Sequence, residues 1–271
     1  ELMATGSNLI NTSATGQPND NEDRPFSFAL GTQIFLNPND DPTDSVVSFK
    51  VDANLLAGSL AVGQSNLSIG LSADSELNTL SQWGQSQINT ASANRFPIGF
   101  GRIAAAPSRI GVNIEGAQVA TIGKPSTVST VDTASNELSI TAHPFNTGDR
   151  VVVTSTGSVP GGLAANVGYF VISVSPNSIK LATSRANAVS NTDIDIQSSG
   201  SGTISVASDE IFTLTRAGSS GSVTLKKADV TIATFSNTNA ASPLRLFYWN
   251  REQSSSSTDP IVKEIKVTGA I

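Results

Sequence analysis

The sequence predicts an all-β protein. Charged residues make up only 14% of the 271-residue chain, and Ser, Thr, Asn and Gly fill surface positions that Lys and Glu usually take. Short segments rich in Val, Ile, Thr and Phe alternate apolar and polar side chains, the period of a half-buried strand. Clusters of Gly, Pro, Asn and Ser separate them, whereas long helices would need repeating faces of Glu, Lys, Arg, Leu and Ala. The 38% hydrophobic content can cover a sizeable core, so the chain is globular.

Taken in order, residues 1–25 carry few large apolar side chains and many turn formers, and read as an extended N-terminal arm of the kind that lies on a neighbouring subunit. From Phe26 the pattern changes. "FSFALGTQIFL" alternates Phe26, Phe28 and Leu30, "SVVSFKV" alternates Val47, Phe49 and Val51, and "LSIGLS" sets Leu67, Ile69 and Leu71 on one face. The polar stretch 72–95, with Trp83, fits either a short helix or a long loop. "FPIGFGR" and "SRIGVNIEG" read as two further strands, the second followed by a turn at Glu115 and Gly116.

Residues 123–206 read as a compact antiparallel β-domain of their own. Its strands are expected in "NELSITA", "DRVVVTS", "GYFVISV", "SIKLATS", "TDIDIQ" and "GTISV". In "GYFVISV", Tyr169 and Val171 alternate with Phe170 and Ile172, so this strand is apolar on both faces and central. Beyond it, "DEIFTLTRAG", a hairpin through Lys227, Ala228 and Asp229, "SPLRLFYWN" and "IVKEIKVTGAI" finish the chain as strands.

Composition excludes several classes. The net charge is −6 and Lys226 with Lys227 is the densest basic cluster, so the phosphate-neutralising footprint of a nucleic-acid binder is missing. No apolar run approaches the length of a membrane span. Zero cysteines rule out disulfides and thiolate chemistry, which leaves packing or assembly into an oligomer to supply stability. No export signal is readable at the N-terminus, and the missing initiating Met suggests trimming or a fragment.

The segments "DEIFTLTRAG", "VTLKKADVTIATF", "SPLRLFYWN" and "VKEIKVTG" resemble the closing strands of concanavalin-like, laminin-G-like jelly rolls, two-sheet sandwiches found in lectins and in many phage tail and fibre proteins. "LSIGLS" and "RIGVNIEGAQVA" look like earlier strands of the same sandwich. The resemblance implies a discontinuous jelly-roll β-sandwich, residues 26–122 with 207–271, interrupted where such domains have one short connection. The inserted domain is itself similar to a module of phage virion and tail-associated proteins, through Gly148 and Asp149, "VPGGLAANVGYFVISV", "NSIKLATSRANAV" and "DIDIQSSGSGTISV".

Candidate chemistry is sparse. His143, the sole histidine, precedes Pro144 and Phe145 and reads as a turn or surface residue, and no "G-x-S-x-G" or "H-E-x-x-H" accompanies it. Glu210, Glu252 and Glu264 are the acids best placed on the sandwich for glycosidase work, and default solvation makes them surface charges. The "E-x-D-x-x-E"-like strand of jelly-roll hydrolases is lacking. The loop "NPNDDPTD" offers Asp40, Asp41 and Asp44 as hard oxygen ligands for calcium, although its spacing matches no defined calcium loop and suits an ordinary turn as well. "LFYWNREQSSSS" places Tyr248, Trp249, Asn250 and Arg251 at a strand end, where an aromatic face beside amide and guanidinium donors suits a sugar ring or a partner surface. Trp249 capping the core beside a solvated Arg251 fits the same residues.

The resemblances together imply a non-enzymatic virion protein without a catalytic cofactor. It would be exposed on a phage capsid as a decoration protein or on the tail as a fibre component, as a homo-oligomer bound to other virion proteins. Attachment to a host surface glycan and degradation of a polysaccharide are the alternatives.

Overall fold

A computed structural model of the chain describes residues 2–4, 25–26, 44–51, 65–72, 95–103, 106, 108–218, 220–238, 244–250 and 262–268. The fold is all-β, the described residues form three antiparallel sheets, and the chain divides into two compact units. One comprises Glu1–Thr121 with Ile211–Ile271, the other Ile122–Glu210.

Before the insertion the strands are β1 (Leu2–Ala4), β2 (Pro25–Phe26), β3 (Ser45–Val51), β4 (Ser65–Ser72), β5 (Arg95–Arg102), β6 (Arg109–Ile114) and β7 (Ala117–Gly123). The inserted unit holds β8 (Ser126–Thr127), β9 (Thr130–Asp132), β10 (Glu137–Ser139), β11 (Arg150–Ser155), β12 (Gly168–Ser175), β13 (Ser178–Ala182), the helix α1 (Arg185–Val189) and β14 (Ile204–Ser208). After it come β15 (Ile211–Arg216), β16 (Ser222–Lys227), β17 (Val230–Thr238), β18 (Arg245–Asn250) and β19 (Val262–Thr268).

The first unit is a sandwich of two six-stranded sheets, ordered β1-β19-β3-β15-β16-β17 and β2-β18-β4-β5-β6-β7. Alternation puts Val47 and Phe49, Phe212 and Leu214, and Val223 and Leu225 into the core from one sheet, and Ile69, Phe96, Ile98 and Phe100 from the other. The sheets meet through rings. Phe49 and Phe212 stack at 5.7 Å and both present to Phe100 edge-on, at 6.2 and 5.3 Å. Strands on either side of the insertion share both sheets: β15 pairs with β3, placing Phe212 opposite Phe49, and β18 pairs with β4.

Two short segments, one within the expected arm and one at its boundary, are strands at sheet rims. Leu2–Ala4 pairs with β19 and Pro25–Phe26 with β18, because a sheet rim offers backbone groups that even a short segment can satisfy. The rest of residues 1–25, Phe28 and Leu30, and most of 72–95 lie outside the described residues.

The inserted unit has its own closed core. Its sheet order is β8-β14-β11-β12-β13-β10-β9, and the two ends are neighbours in sequence. Between them only Val128 and Ser129 intervene, and these donate backbone N–H bonds to Ile204 O (2.9 Å) and Ser139 O (2.8 Å). Residues 126–132 therefore act as one bent strand, and the sheet closes into a barrel without a free edge. Leu138, Val151, Val153, Val171, Ile179 and Val206 fill the interior at 0% exposure. β12 is central, and its second face is also covered, with Ile172 and Ala182 packing on Ala188 of α1. Ser184 caps that helix by accepting the Asn187 N–H at 3.1 Å.

One local expectation is corrected here: "TDIDIQ" is a loop, and the segment before it, "TSRANAVS", holds a one-turn helix. Ile194 packs against the barrel core and Ile196 is buried, while their N–H groups bond Leu181 O and Asn136 Oδ1. The alternation of "DIDI" reflects one-sided burial of a loop crossing the barrel, not a ladder.

Gly162 shows why the turn at "VPGGLA" needs glycine. Its φ is +90°, and an added Cβ would collide with the backbone carbonyl oxygen of Asp195. Gly162→Ala should cost about 1–3 kcal/mol of stability in the inserted unit, read by denaturant titration. Residues 122–210 expressed alone should unfold cooperatively, with the near-ultraviolet dichroism of a packed Tyr169. A non-cooperative melt would show that the closed sheet is not self-sufficient.

Candidate functional site

Tyr248, Trp249 and Asn250 lie on β18, between β2 and β4. Tyr248 is opposite Phe26 and Ile69, Trp249 opposite Pro25 and Ser68, and Asn250 opposite Leu67. The backbone of this stretch is laddered into the sheet and forms the last three residues of β18. Arg251, Glu252, Trp83, Asp40 and Asp41 lie outside the described residues. Asp44 is exposed, and its carboxylate accepts the Gly218 N–H at 3.3 Å, closing the β15–β16 connection onto the start of β3. Among the described residues no three His, Cys, Asp or Glu side chains gather as ion ligands.

His143 is buried at 8% exposure, against the expectation of a surface residue. Its ring lies parallel to Phe145 at 6.2 Å, and Nε2 bonds Ser175 O at 2.7 Å. A carbonyl oxygen only accepts, so Nε2 carries the proton. Nδ1 is buried without a hydrogen-bond partner, so the described structure gives this ring neither a serine to activate nor a carboxylate to orient it.

Glu210 is likewise corrected: at 2% exposure it is buried, and it belongs to the inserted unit. Its Oε1 accepts the Arg150 N–H at 2.7 Å, and the Asp209 N–H donates to Arg150 O at 2.9 Å, extending the ladder beyond β14. The Arg150 guanidinium closes on the Asp209 carboxylate and on the Asp209 carbonyl oxygen. These acids form a clasp at the end of the barrel's last strand. Glu264 sits at an irregularity of β19 with φ at +51° and pairs with Lys50 at 3.1 Å. Glu210 and Glu264 belong to different units, and each holds local structure in its own.

The polar groups that the structure does assemble were hidden in a composition that reads as solvated surface. Asn136 donates from Nδ2 to Asp193 at 3.0 Å and accepts the Ile196 N–H at 2.8 Å, while Lys180 Nζ stands 3.5 Å from the same Asp193 oxygen. Burial opposes ionisation of Asp193, but the Asn136 amide, a backbone N–H and Lys180 outweigh it and hold the carboxyl below its ordinary value. Exposed Asp132 is held low by the Ser135 hydroxyl and the Ala134 N–H. Ser158 N–H bonds Ser201 Oγ at 3.0 Å, tying two loops of the barrel. In the sandwich, burial lowers the affinity of the Arg216 guanidinium for its proton. All of these contacts position loops and strand ends. An Asn at 136, 57 positions before Asp193, leaves no spacing signal that pattern reading could find.

Because Asp193 binds its proton more weakly folded than unfolded, it adds stability above its ordinary value of 3.8 and loses it as pH falls through the lower folded value. Melting temperature should therefore drop on acidification below about pH 4. Asp193→Asn should be less stable than wild type at pH 7 and show a shallower drop, checked by thermal melts at pH 7, 4 and 3. Glu210→Ala, which strands a backbone N–H, should cost about 1–3 kcal/mol at pH 7 in the same melts.

The sequence matches no protein-family model and no curated protein.

Proposed function

We propose that this chain is a non-enzymatic structural protein of a bacteriophage particle: a jelly-roll sandwich displayed on the capsid or tail that carries the inserted barrel as an outward module. The observation that supports this reading most is the construction of the insertion. Its first strand β8 pairs with its last strand β14, Ser126 opposite Val206, so the unit begins and ends side by side and can be carried by one connection of a host domain. The glycines and the turn that carry the resemblance to virion modules are the ones its loops require, Gly162 above all. His143, Glu210 and Glu264, the described candidates for chemistry, are engaged in holding structure.

Partners on this reading are other virion proteins and further copies of the chain. Attachment to a host surface glycan is the second reading, motivated by Tyr248, Trp249, Asn250 and Arg251 and by lectins that share the sandwich architecture; architecture alone is weak support for a ligand. Mass spectrometry of purified phage particles should recover the chain at a fixed ratio to the major capsid or tail subunit. Recovery only from the lysate, with none in gradient-purified particles, would overturn the structural role. Binding of the protein to host polysaccharide, lost in Trp249→Ala and Arg251→Ala, would establish the second reading.

A further inference from the structure

The rim of the sandwich formed by β17 and β7 is closed by side chains reaching from one sheet to the backbone of the other. Lys227, on β16, donates to the carbonyl oxygen of Thr121 on β7 at 3.2 Å. In the opposite sense, the Glu115 carboxylate, from the β6–β7 turn, accepts the Ser236 N–H at 2.9 Å and the Ser236 hydroxyl. Ser236 lies on β17, the last strand of its sheet among the described residues.

β17 is a hazard by composition. It runs nine residues, Val230–Thr238, without a charge or a proline, and Val230, Thr231, Thr234, Ser236 and Thr238 are exposed. Edge strands of this length usually carry a lysine or a proline, because their open backbone groups otherwise template pairing with another chain. Two register shifts against β16 distort the edge, but the strand itself offers no repulsion. A second copy is the favoured occupant. In a chain of net charge −6, antiparallel pairing of β17 with itself brings no like charges together.

Glu115 is also held in a conformation that its residue type resists. Its φ is +50° and that of Gly116 is +80°, a hairpin turn in which asparagine before glycine is the relaxed choice. A glutamate there gives up local ease, and what it gains is reach to Ser236.

We propose that Glu115 is an edge plug whose carboxylate keeps β17 from pairing with β17 of a second copy of this chain. The inference is independent of the virion reading. It is tested in the full chain with Glu115→Asn, which relaxes the turn and is too short to reach Ser236, and with the double variant Glu115→Asn/Thr234→Lys, which places a charge on the opened edge. By sedimentation velocity, E115N should rise with concentration toward twice the wild-type mass, and the double variant should return to the wild-type value. An E115N mass equal to wild type over the same range overturns the proposal, as does a gain in mass that Thr234→Lys leaves intact. In the wild type, the Ser236 amide should exchange its hydrogen at least tenfold more slowly than it does in the double variant, whose edge has lost the Glu115 contact without gaining a partner strand. Equal exchange would show that the contact does not hold in solution, whether or not the variants fold well.

Discussion

The ladder between β3 and β15 is the constraint on which the sandwich depends. Ser48 and Thr213 face each other across it and share a hydroxyl contact at 3.1 Å, although 165 positions separate them in the chain. Phe49, Phe212 and Phe100 converge only when this pairing is made, so the aromatic centre of the core waits on a contact very distant in sequence. Closing a flexible loop of roughly ninety residues would cost on the order of 4 kcal/mol in chain entropy. A barrel that folds by itself and holds β8 against β14 presents its two ends already together, and most of that cost disappears. The closed core of the insertion thus favours the sandwich without requiring any specific interaction between the two.

Much of this architecture is legible from alternation. Val47 and Phe49, Ile110 and Val112, and Phe212 and Leu214 are apolar pairs two positions apart, and each lands on a buried face. The doubly apolar strand Gly168–Ser175 sits at the centre of its sheet because both faces find cover, the barrel interior on one side and α1 on the other. Periodicity cannot tell a ladder from a loop lying on a core, which is why "DIDI" misleads. It is also blind to a helix of five residues whose one buried side chain is Ala188. The supposed arm shows the reverse limit: three residues, Leu2–Ala4, carry no pattern at all, and the rim of β19 decides their conformation.

The chemistry was harder to read than the fold, for a physical reason. A solvated glutamate and a buried one have the same letter, and the difference at Glu210 is the backbone N–H of Arg150, 60 positions away. His143 likewise owes its burial to Ser175 O and Phe145, neither of which forms a motif with it. In this chain poor in charge, Glu210, Asp132 and Asp44 all accept backbone N–H groups at strand ends or turns. Hydroxyls and amides do the same on a smaller scale, so a surface that looks featureless in composition is organised by short local bonds such as Asp132 to Ser135.

The antiparallel contact of β8 with β14 also decides how the inserted unit responds to load. Ser126 faces Val206 and Thr127 faces Ser205, so the chain enters and leaves at the same end of the pair. Tension delivered through the two connections pulls along the hydrogen bonds, which break in succession as in a zipper, instead of shearing the whole row at once. At this seam the Arg150 contacts to Asp209 and Glu210 would be the first resistance that such a pull meets.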